Sequence, residues 1–374
     1  MAGIYLHIPF CKQACAYCNF HFATSLRYKE PMVAAIAREA ELQKPYLGNQ
    51  PIATIYFGGG TPSLLDAGEI AHLLHTIRQH YTVLPDAEIT LEANPDDINT
   101  EKLEAWKEGG INRLSIGIQS FFESDLRWMN RAHNAGQARR CIELAQAAGF
   151  HNISIDLIYG TPGLSDEAWR QNVETALALR IPHLSCYALT VEEKTPLHKQ
   201  IAQKQKTDVD NEQQARQFTL LMEWLRGAGY EHYEVSNFAL PGWRSRHNSS
   251  YWRGEKYLGL GPSAHSFDGE SRQWNVANNN IYLQEIEKGI LPFEKEVLTP
   301  EQRLNEHIMI GLRTMEGLDL ASIEAQWGEP AKTALTAEAK RFEQAGFLSI
   351  GKNNICLTDE GMLRADGIAA ELFV

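Results

Sequence analysis

Three cysteines near the start of the chain have a spacing that suits a metal centre. Cys11, Cys15 and Cys18 lie in HIPFCKQACAYCNF with the pattern C-x-x-x-C-x-x-C, directly after an apolar run, Ile4–Ile8, that predicts a short strand. Three thiolates on one tight loop can hold three irons of a cubane iron–sulfur cluster, which normally takes four cysteines. The fourth iron would then be open to a ligand that is not protein. This pattern is typical of a redox cofactor that contacts a substrate.

Two other uses of these cysteines have to be weighed. A disulfide is disfavoured because six cysteines in 374 residues are few and no secretory segment precedes them. Zinc is the stronger rival, since His21 follows Cys18 at C-x-x-H spacing and would complete a Cys3His set. The cysteines alone leave both metals open. The remaining three thiols are expected to be small buried hydrophobic residues: Cys141, Cys186 and Cys356.

Composition narrows the class of protein. Hydrophobic residues make up 44% and charged residues 22%, as in an ordinary soluble globular protein. The net charge of -12 argues against a nucleic-acid partner, because such partners are bound through Lys and Arg patches. No apolar stretch approaches the roughly 18 residues of a membrane helix, and the start of the chain lacks a signal-peptide pattern. With free thiols, this predicts a cytoplasmic location.

Strand-like and helix-like segments alternate through the first two hundred residues. The strand candidates are Ile4–Ile8, Ala53–Phe57, Glu88–Glu92, Arg113–Ile118, Asn152–Ile158 and His183–Leu189. The amphipathic stretches between them include Glu30–Gln43, Ala67–Tyr81, Glu101–Glu108, Ala135–Ala148 and Asp166–Ala178. Apolar strands separated by helices predict βαβ units and a parallel sheet. Six units are too few for an eight-fold barrel, so we expect an α/β fold with a partial, open (β/α)6 barrel.

Polar and glycine-rich segments follow the predicted strands, where α/β barrels place their chemistry. In chain order these segments are Gly58–Pro62, Glu92–Pro95, Gly117–Ser120, Asp156 within strand five, and Tyr187–Ala188. The GGGTP segment lacks the Gly-Lys-Ser/Thr of a P-loop, so a nucleoside triphosphate is not expected there. The ordered set predicts one site above the cysteine loop.

These segments resemble those of the radical S-adenosylmethionine (SAM) superfamily. More narrowly, the chain is similar to the branch that contains oxygen-independent coproporphyrinogen III dehydrogenases and haem chaperones. The resemblance extends over nearly the whole length and is carried by YLHIPFC at Tyr5–Cys11, FGGGTPS at Phe57–Ser63, EANP at Glu92–Pro95, SIGIQSF at Ser115–Phe121 and DLIYGTPG at Asp156–Gly163. It favours an iron–sulfur cluster over zinc.

The resemblance implies the roles of the cysteines. They would bind a [4Fe–4S] cluster, and the amino and carboxylate groups of SAM would chelate its open iron. An electron passed from the cluster to the sulfonium could then break the S–C5′ bond homolytically, giving methionine and a 5′-deoxyadenosyl radical. The cofactor would supply this chemistry, while the protein would supply placement and the exclusion of water and oxygen.

The resemblance also implies contacts to SAM. Gly59, Gly60 and Thr61 would meet its methionyl end, because glycine lets the backbone come close to a ligand. Glu92 would approach the ribose or the sulfonium, and Arg131, in MNRAHN, the carboxylate.

Five further residues are expected around the same ligand. Tyr5 and Tyr17 flank the cluster and would pack against SAM, while Gln119, Asp156 and Ala188 would line the cavity. For Gln119 and Asp156 the alternative is a satisfied structural hydrogen bond inside the barrel.

A separate segment, Arg246–Trp252, has the sequence RHNSSYW and is predicted as a loop between Trp243 and Gly254. Its His247 could offer an axial imidazole to a haem beside a flat apolar surface. The same composition is compatible with a hydrogen-bonded loop anchored by its two aromatic residues. The segment resembles the H-N-x-x-Y-W pattern of the haem chaperones in this branch, which implies haem as cargo.

We expect three regions: a radical SAM core with the cluster and SAM site (1–235), a connecting segment with HNSSYW (236–290), and a small helical, winged-helix-like C-terminal domain (291–374). The last region would contain a helix from Thr299 and a hairpin around Asn353-Asn354. From Phe293 onward it has fourteen Asp and Glu residues against eight Lys and Arg. A protein-packing or substrate-covering role is therefore expected rather than DNA binding.

Two departures from the dehydrogenase pattern decide the functional hypothesis. The dehydrogenases continue as C-x-x-x-C-x-x-C-x-C, but Phe20 occupies the fourth cysteine position here, and their long segment before the first strand has no counterpart before Cys11. We therefore expect a haem chaperone that keeps the SAM machinery, without dehydrogenase activity. The alternatives are a coproporphyrinogen III dehydrogenase and a radical SAM methyl- or alkyl-transferase. The implied partners are haem, haem-acceptor proteins (with peripheral contact to membrane-bound ones) and an electron donor.

Overall fold

The computed structural model describes residues 1–374, and its first half alternates strands with helices as the sequence predicts. The strands are β1 (Ala2–Ile8), β2 (Ile52–Gly59), β3 (Val83–Ala93), β4 (Arg113–Gln119), β5 (Ile153–Tyr159) and β6 (His183–Ala188). The helices are α1 (Lys29–Leu42), α2 (Ala67–His80), α3 (Thr100–Glu108), α4 (Glu123–Trp128), α5 (Ala135–Ala147) and α6 (Asp166–Ala178).

Strands β1 to β6 are parallel and neighbour one another in chain order. Their apolar residues alternate with polar ones, because successive side chains of a strand point to opposite faces. The apolar set, which includes Leu6, Phe57 and Leu91, packs under the helices in a core of 58 buried residues. The polar set faces the hollow of the curved sheet, which we call the lumen. The expected partial (β/α)6 barrel is confirmed.

The second half begins with two helices and continues the same sheet. Its elements are α7 (Pro196–Ala202), α8 (Asn211–Gly227), β7 (Glu231–Glu234), β8 (Asn237–Ala239), α9 (Arg246–Trp252), β9 (Lys256–Leu260), β10 (His265–Phe267), β11 (Ser271–Asn275), α10 (Asn279–Glu287) and β12 (Phe293–Val297). The sheet order is β12-β11-β10-β9-β1-β2-β3-β4-β5-β6-β8-β7, with β9 parallel to β1.

The region 236–290 is therefore more than a connecting segment. It supplies β8 to one side of the six-stranded unit and β9 to β11 to the other. Glu39 of α1 ties this extension to the barrel. Its buried carboxylate accepts hydrogen bonds from the Tyr282 hydroxyl (2.5 Å), from Asn275 Nδ2 (2.6 Å) and from the Gly261 N–H (2.7 Å).

The HNSSYW segment forms helix α9, so the predicted loop is wrong. The Ser245 hydroxyl caps the helix by accepting from the Asn248 N–H. Glu88 of β3 accepts from the backbone N–H groups of Arg246 (3.2 Å) and His247 (3.0 Å). A carboxylate at a helix N-terminus is stabilising because it meets unpaired N–H groups and the positive end of the dipole. These contacts hold α9 against the lumen side of β2 and β3.

The C-terminal domain has a separate core of 15 buried residues. Its elements are α11 (Pro300–Leu312), β13 (Leu318–Asp319), α12 (Leu320–Trp327), α13 (Glu329–Gln344), β14 (Leu348–Ile350), β15 (Asn354–Leu357), α14 (Asp359–Met362) and α15 (Ala365–Glu371). The three strands form one sheet in the order β13-β15-β14, and β14 and β15 pair antiparallel as the predicted hairpin. This arrangement of helices and a hairpin resembles a winged helix.

The domain is fixed to the edge of the main sheet at β7. Arg313 lies 2.9 Å from the buried carboxylate of Glu234, and the Val235 N–H donates to the Arg313 carbonyl (3.0 Å). Breaking a buried ion pair leaves an uncompensated charge, so this junction resists separation. No helix of the chain combines the length and apolar character needed to cross a membrane.

Candidate functional site

The cysteine loop has no helix or strand of its own and is held by contacts to the barrel mouth. The Ala16 N–H donates to the Met129 carbonyl (3.0 Å), and Asn130 Nδ2 donates to the Ala14 carbonyl (2.8 Å). Lys12 forms an ion pair with Asp96 at 2.9 Å. The loop therefore rests on the segments after β3 and α4, directly above the carboxyl ends of the parallel strands.

Two of the three sulfurs receive a hydrogen bond. The Thr61 hydroxyl donates to Cys11 Sγ (3.5 Å), and Arg131 Nη1 donates to Cys15 Sγ (3.3 Å). Hydrogen bonds to cluster thiolates stabilise their negative charge and tune the reduction potential. Arg131 Nη2 also binds Asn94 Oδ1 and the Gly117 carbonyl, each at 2.8 Å, while its Nε atom is buried without a partner.

The histidine that would complete a Cys3His set is engaged elsewhere in the structure. No group of three His, Cys, Asp or Glu side chains is arranged to hold one metal ion. The His21 ring is bonded instead to Asn279 Oδ1 at 2.7 Å. Burial raises the pKa of Cys11 to about 11, so its thiol must lose a proton when iron binds. Cys141 and Cys186 are buried as expected, whereas Cys356 is only half-buried.

The GGG segment at the end of β2 leaves no space for side chains. A Cβ atom on Gly60 would lie 2.6 Å from the Phe10 carbonyl oxygen, and one on Gly59 would lie 2.7 Å from the His7 ring. Gly59 also has a φ of +105°, which L side chains rarely adopt. Glycine is thus required for β2 to approach β1 and the cysteine loop.

Two carboxylates face the lumen beneath this edge. Glu92 Oε1 accepts from the Tyr56 hydroxyl (2.8 Å), and burial, together with the nearby Asp156, raises the pKa of Glu92 to about 8. Burial also raises the pKa of Asp156 to about 6, although a hydrogen bond from Ser185 and the charge of Arg131 oppose the shift. Strongly shifted acids inside a cleft are typical of functional sites.

The other predicted SAM contacts lie around the same opening. Gln119 is buried with a φ of 64° at a register irregularity of β4, a strained conformation that accumulates at functional sites. Tyr5 stacks on Tyr56 with ring centroids 6.1 Å apart. Tyr17 packs on the small cluster that includes Met129, and Ala188 ends β6.

His247 lies in the lumen rather than at the surface. It is 1% exposed, and its two ring nitrogens are hydrogen bonded to Thr54 Oγ1 (2.7 Å) and the Tyr251 hydroxyl (2.8 Å). Burial lowers the pKa of the ring to about 3, so it stays neutral. With both nitrogens occupied, this arrangement favours the structural alternative that the sequence left open.

Three further residues contribute to the site and were not predicted from the sequence. Asn94 donates to the Thr61 hydroxyl (3.1 Å) and accepts from Arg131, so it links two predicted SAM contacts. Its place in EANP after a strand is a signal that could have found it. Tyr56 of β2 donates a hydrogen bond to Glu92, and the positive charge of Arg113 of β4 acts on both Glu92 and Asp156. Both residues lie inside strands, and only the structure shows that their side chains face the lumen.

Comparisons with known proteins show the family to which the chain belongs. Residues 5–176 match the model of the radical SAM superfamily, and residues 298–364 match that of the HemN C-terminal domain. The chain is 35% identical to the heme chaperone HemW of Mycobacterium tuberculosis, over 99% of this chain and 94% of that protein. It is 33% identical to the heme chaperone HemW of Bacillus subtilis, over 97% of each.

A solved structure with the same fold is that of the coproporphyrinogen III oxidase HemN from Escherichia coli, a radical SAM enzyme. It superposes with a TM-score of 0.86 at 23% identity, over 100% of this chain and 90% of that one. At this identity the likeness shows the fold alone. The full-length relatives carry the assignment further, and the chain belongs to the HemW heme chaperone family of radical SAM proteins.

Proposed function

We propose that the chain is a haem chaperone that binds a [4Fe–4S] cluster, SAM and haem, and delivers haem to acceptor proteins. The observation that carries this proposal is its kinship, over 94% or more of their length, with proteins named heme chaperone HemW. The hydrogen bonds that Thr61 and Arg131 donate to the cysteine sulfurs support the cluster. The GGG segment at the end of β2, which we call the glycine edge, supports the binding of SAM.

Within this proposal Cys11, Cys15 and Cys18 hold the cluster, which together with SAM supplies one-electron chemistry when bound. Arg131 and Thr61 donate hydrogen bonds to the sulfurs and keep the loop in register with the strand ends. The buried Nε of Arg131 is free to meet the carboxylate of SAM, because arginine binds carboxylates through directed N–H groups.

The glycine edge and Glu92 position the rest of SAM. The methionyl end would lie against Gly59, Gly60 and Thr61 of the GGGTP segment at the end of β2. A pKa of about 8 keeps Glu92 protonated at neutral pH, so it can both donate to and accept from a ribose hydroxyl. Asp156, with a pKa of about 6, is mostly ionised at the same pH.

A dehydrogenase is the second candidate, because the fold matches that of HemN. Phe20 weighs against it: the residue at the fourth cysteine position is an aromatic ring, and it is 67% exposed. An exposed apolar ring suits a surface that contacts a flat ligand or a partner protein. We further propose that the protein acts in the cytoplasm, takes electrons from a donor protein and reaches membrane-bound haem acceptors by peripheral contact.

The proposal is tested by titrating the anaerobically reconstituted protein with haem while a parallel sample receives coproporphyrinogen III, SAM and a strong reductant. We expect about one haem per chain with a Soret band, and no multiple-turnover decarboxylation. Slow uncoupled cleavage of SAM fits both candidates and does not separate them. Sustained formation of protoporphyrinogen IX, or no haem binding at all, would refute the chaperone assignment.

A further inference from the structure

A large cavity lies between the barrel and the C-terminal domain. Its volume is about 1210 Å³, and its walls come from the cysteine loop, β1, α9, the β9–β11 extension, α11 and α12. Typical small-molecule sites measure roughly 300–1,000 Å³, so this cavity can take a ligand as large as a tetrapyrrole. Of the residues assigned to the cluster and SAM, only Tyr5 lines it, so those two ligands do not account for its volume.

Aromatic rings form much of the wall. Phe20 and Trp327 face the cavity from the cysteine loop and α12, and Trp252, Tyr257 and Phe267 line it from the barrel side. Flat apolar rings bury a planar macrocycle effectively because they offer a large contact area at a small cost in side-chain entropy. The exposed face of Phe20 is thus part of the cavity wall.

Two histidines of this wall have ring nitrogens with no hydrogen bond, His265 and His307. The other two are engaged, since His7 binds the His21 carbonyl and the His21 ring binds Asn279. His307 lies on α11 against the Trp327 ring, with centroids 5.2 Å apart. Burial lowers its pKa, so the imidazole is neutral and its lone pair is available to a metal.

Two buried donors of the same wall lack a partner: Arg303 Nε and Trp252 Nε1. Arg303 forms no ion pair, whereas the neighbouring Arg272 is held by Glu306 at 2.6 Å and Arg253 by Glu255 at 2.7 Å. An unpaired buried donor is costly unless a ligand satisfies it. A carboxylate of a bound molecule would satisfy both the charge and the hydrogen bond.

We propose that this cavity is the haem site, with His307 as an axial ligand of the iron and Arg303 paired with a propionate. The inference rests on the proposed chaperone function and places its cargo. In this proposal the HNSSYW helix contributes to haem binding through the cavity wall, and His247 does not contact the iron. Tyr251 and Trp252 line the cavity, and His247 holds Tyr251, so His247 is a positioning residue.

The axial ligand is tested by haemin titration of His307→Ala, with the exposed His151→Ala as the matched control. We expect His307→Ala to lower haem affinity about tenfold or more and to change the Soret position, as loss of an iron ligand implies. Imidazole added to the buffer should restore the wild-type spectrum, which a merely structural histidine would not allow. A change in His265→Ala with none in His307→Ala would overturn the ligand assignment.

The propionate contact is tested by comparing haemin with its dimethyl ester. Arg303→Gln should weaken haemin by about tenfold, as expected for a lost charge-assisted pair, and leave the ester unchanged. Ser322→Trp places a large ring in the cavity and should block both ligands while iron and sulfide content stay at wild-type levels. Equal weakening of haemin and ester by Arg303→Gln would contradict the pairing.

The outcomes distinguish a failure of the haem-site assignment from a failure of the chaperone proposal. If the wild-type protein binds no haem, the chaperone proposal fails. If it binds haem and His307→Ala, Arg303→Gln and Ser322→Trp all bind with unchanged spectrum and affinity, the function survives and the cavity assignment is overturned. Circular dichroism and cluster content, measured for each variant, identify any that fail to fold.

Discussion

His247 Nε2 lies 2.8 Å from the hydroxyl oxygen of Tyr251, one turn further along α9. The opposite ring nitrogen lies 2.7 Å from Thr54 Oγ1, and the ring stacks on Tyr56 with centroids 4.9 Å apart. The imidazole therefore braces the helix against β2. The ring thus connects Thr54, which faces the lumen, to Tyr251, which lines the large cavity.

Replacing His247 with Ala should destabilise the fold by about 2–3 kcal/mol, because the change leaves buried hydroxyl groups without partners. Haem should bind more weakly, while the EPR signature of its axial ligation should stay that of the wild type. Chemical denaturation and EPR of the haem complex measure the two effects. Asn248→Ala, on the same helix, is the control. Loss of the wild-type axial signature in His247→Ala would instead identify His247 as the ligand.

The three loop cysteines should be the only ones that the cluster needs. Anaerobic protein should contain about four irons and four sulfides per chain, as a cubane requires. Cys11→Ala, Cys15→Ala and Cys18→Ala should each abolish or severely reduce this content, while Cys141→Ala, Cys186→Ala and Cys356→Ala should retain it. Iron and sulfide analysis decides the matter, and a colourless protein with one zinc per chain would contradict the cluster assignment.

Gly60→Ala should show whether the glycine edge is needed for SAM binding, beyond the general cost of replacing a glycine. The new methyl group would meet the Phe10 carbonyl at 2.6 Å, so β2 and the cysteine loop must move apart. We expect a loss of about 1–3 kcal/mol, typical of overpacking, and a weaker effect of SAM on the EPR signal of the reduced cluster. Gly227→Ala, where a Cβ meets nothing within 4 Å, is the control. Equal SAM responses in both variants would argue against the SAM contact.

The buried Glu39 should make stability fall as pH rises. Burial raises its pKa to about 7, against 4.5 in the unfolded chain, so the folded state binds the proton more tightly. Its contribution is complete below about pH 4.5 and is lost as pH rises to about 7; at 1.36 kcal/mol per pKa unit it amounts to about 3 kcal/mol. Glu39→Gln removes the titrating group and should flatten the slope of unfolding free energy between pH 5 and pH 8. An unchanged slope would disprove this assignment.

The barrel and its cysteine loop were predictable because strand-like segments rich in apolar residues alternate with amphipathic ones, and most of the chemical groups follow a strand. The position and helical structure of α9 were not predictable in this way. Its seven residues have no apolar period that would predict a helix. They are helical because Glu88, far away in sequence, and Ser245, directly before the segment, accept hydrogen bonds from the first N–H groups. Likewise, His265 and His307 are 42 residues apart, and only the packing of the C-terminal domain brings both to one cavity.

A sheet that never closes into a barrel has two edges that could recruit other chains into aggregates. At β7 the edge is covered, because Glu234 bridges to Thr314 of the C-terminal domain. At β12 every residue is exposed, and the middle of the strand is the charged run Glu294, Lys295 and Glu296. Since burying those charges against a second strand would be costly, β12 is protected by its own charge. Variants that neutralise it would endanger solubility before they harmed the fold.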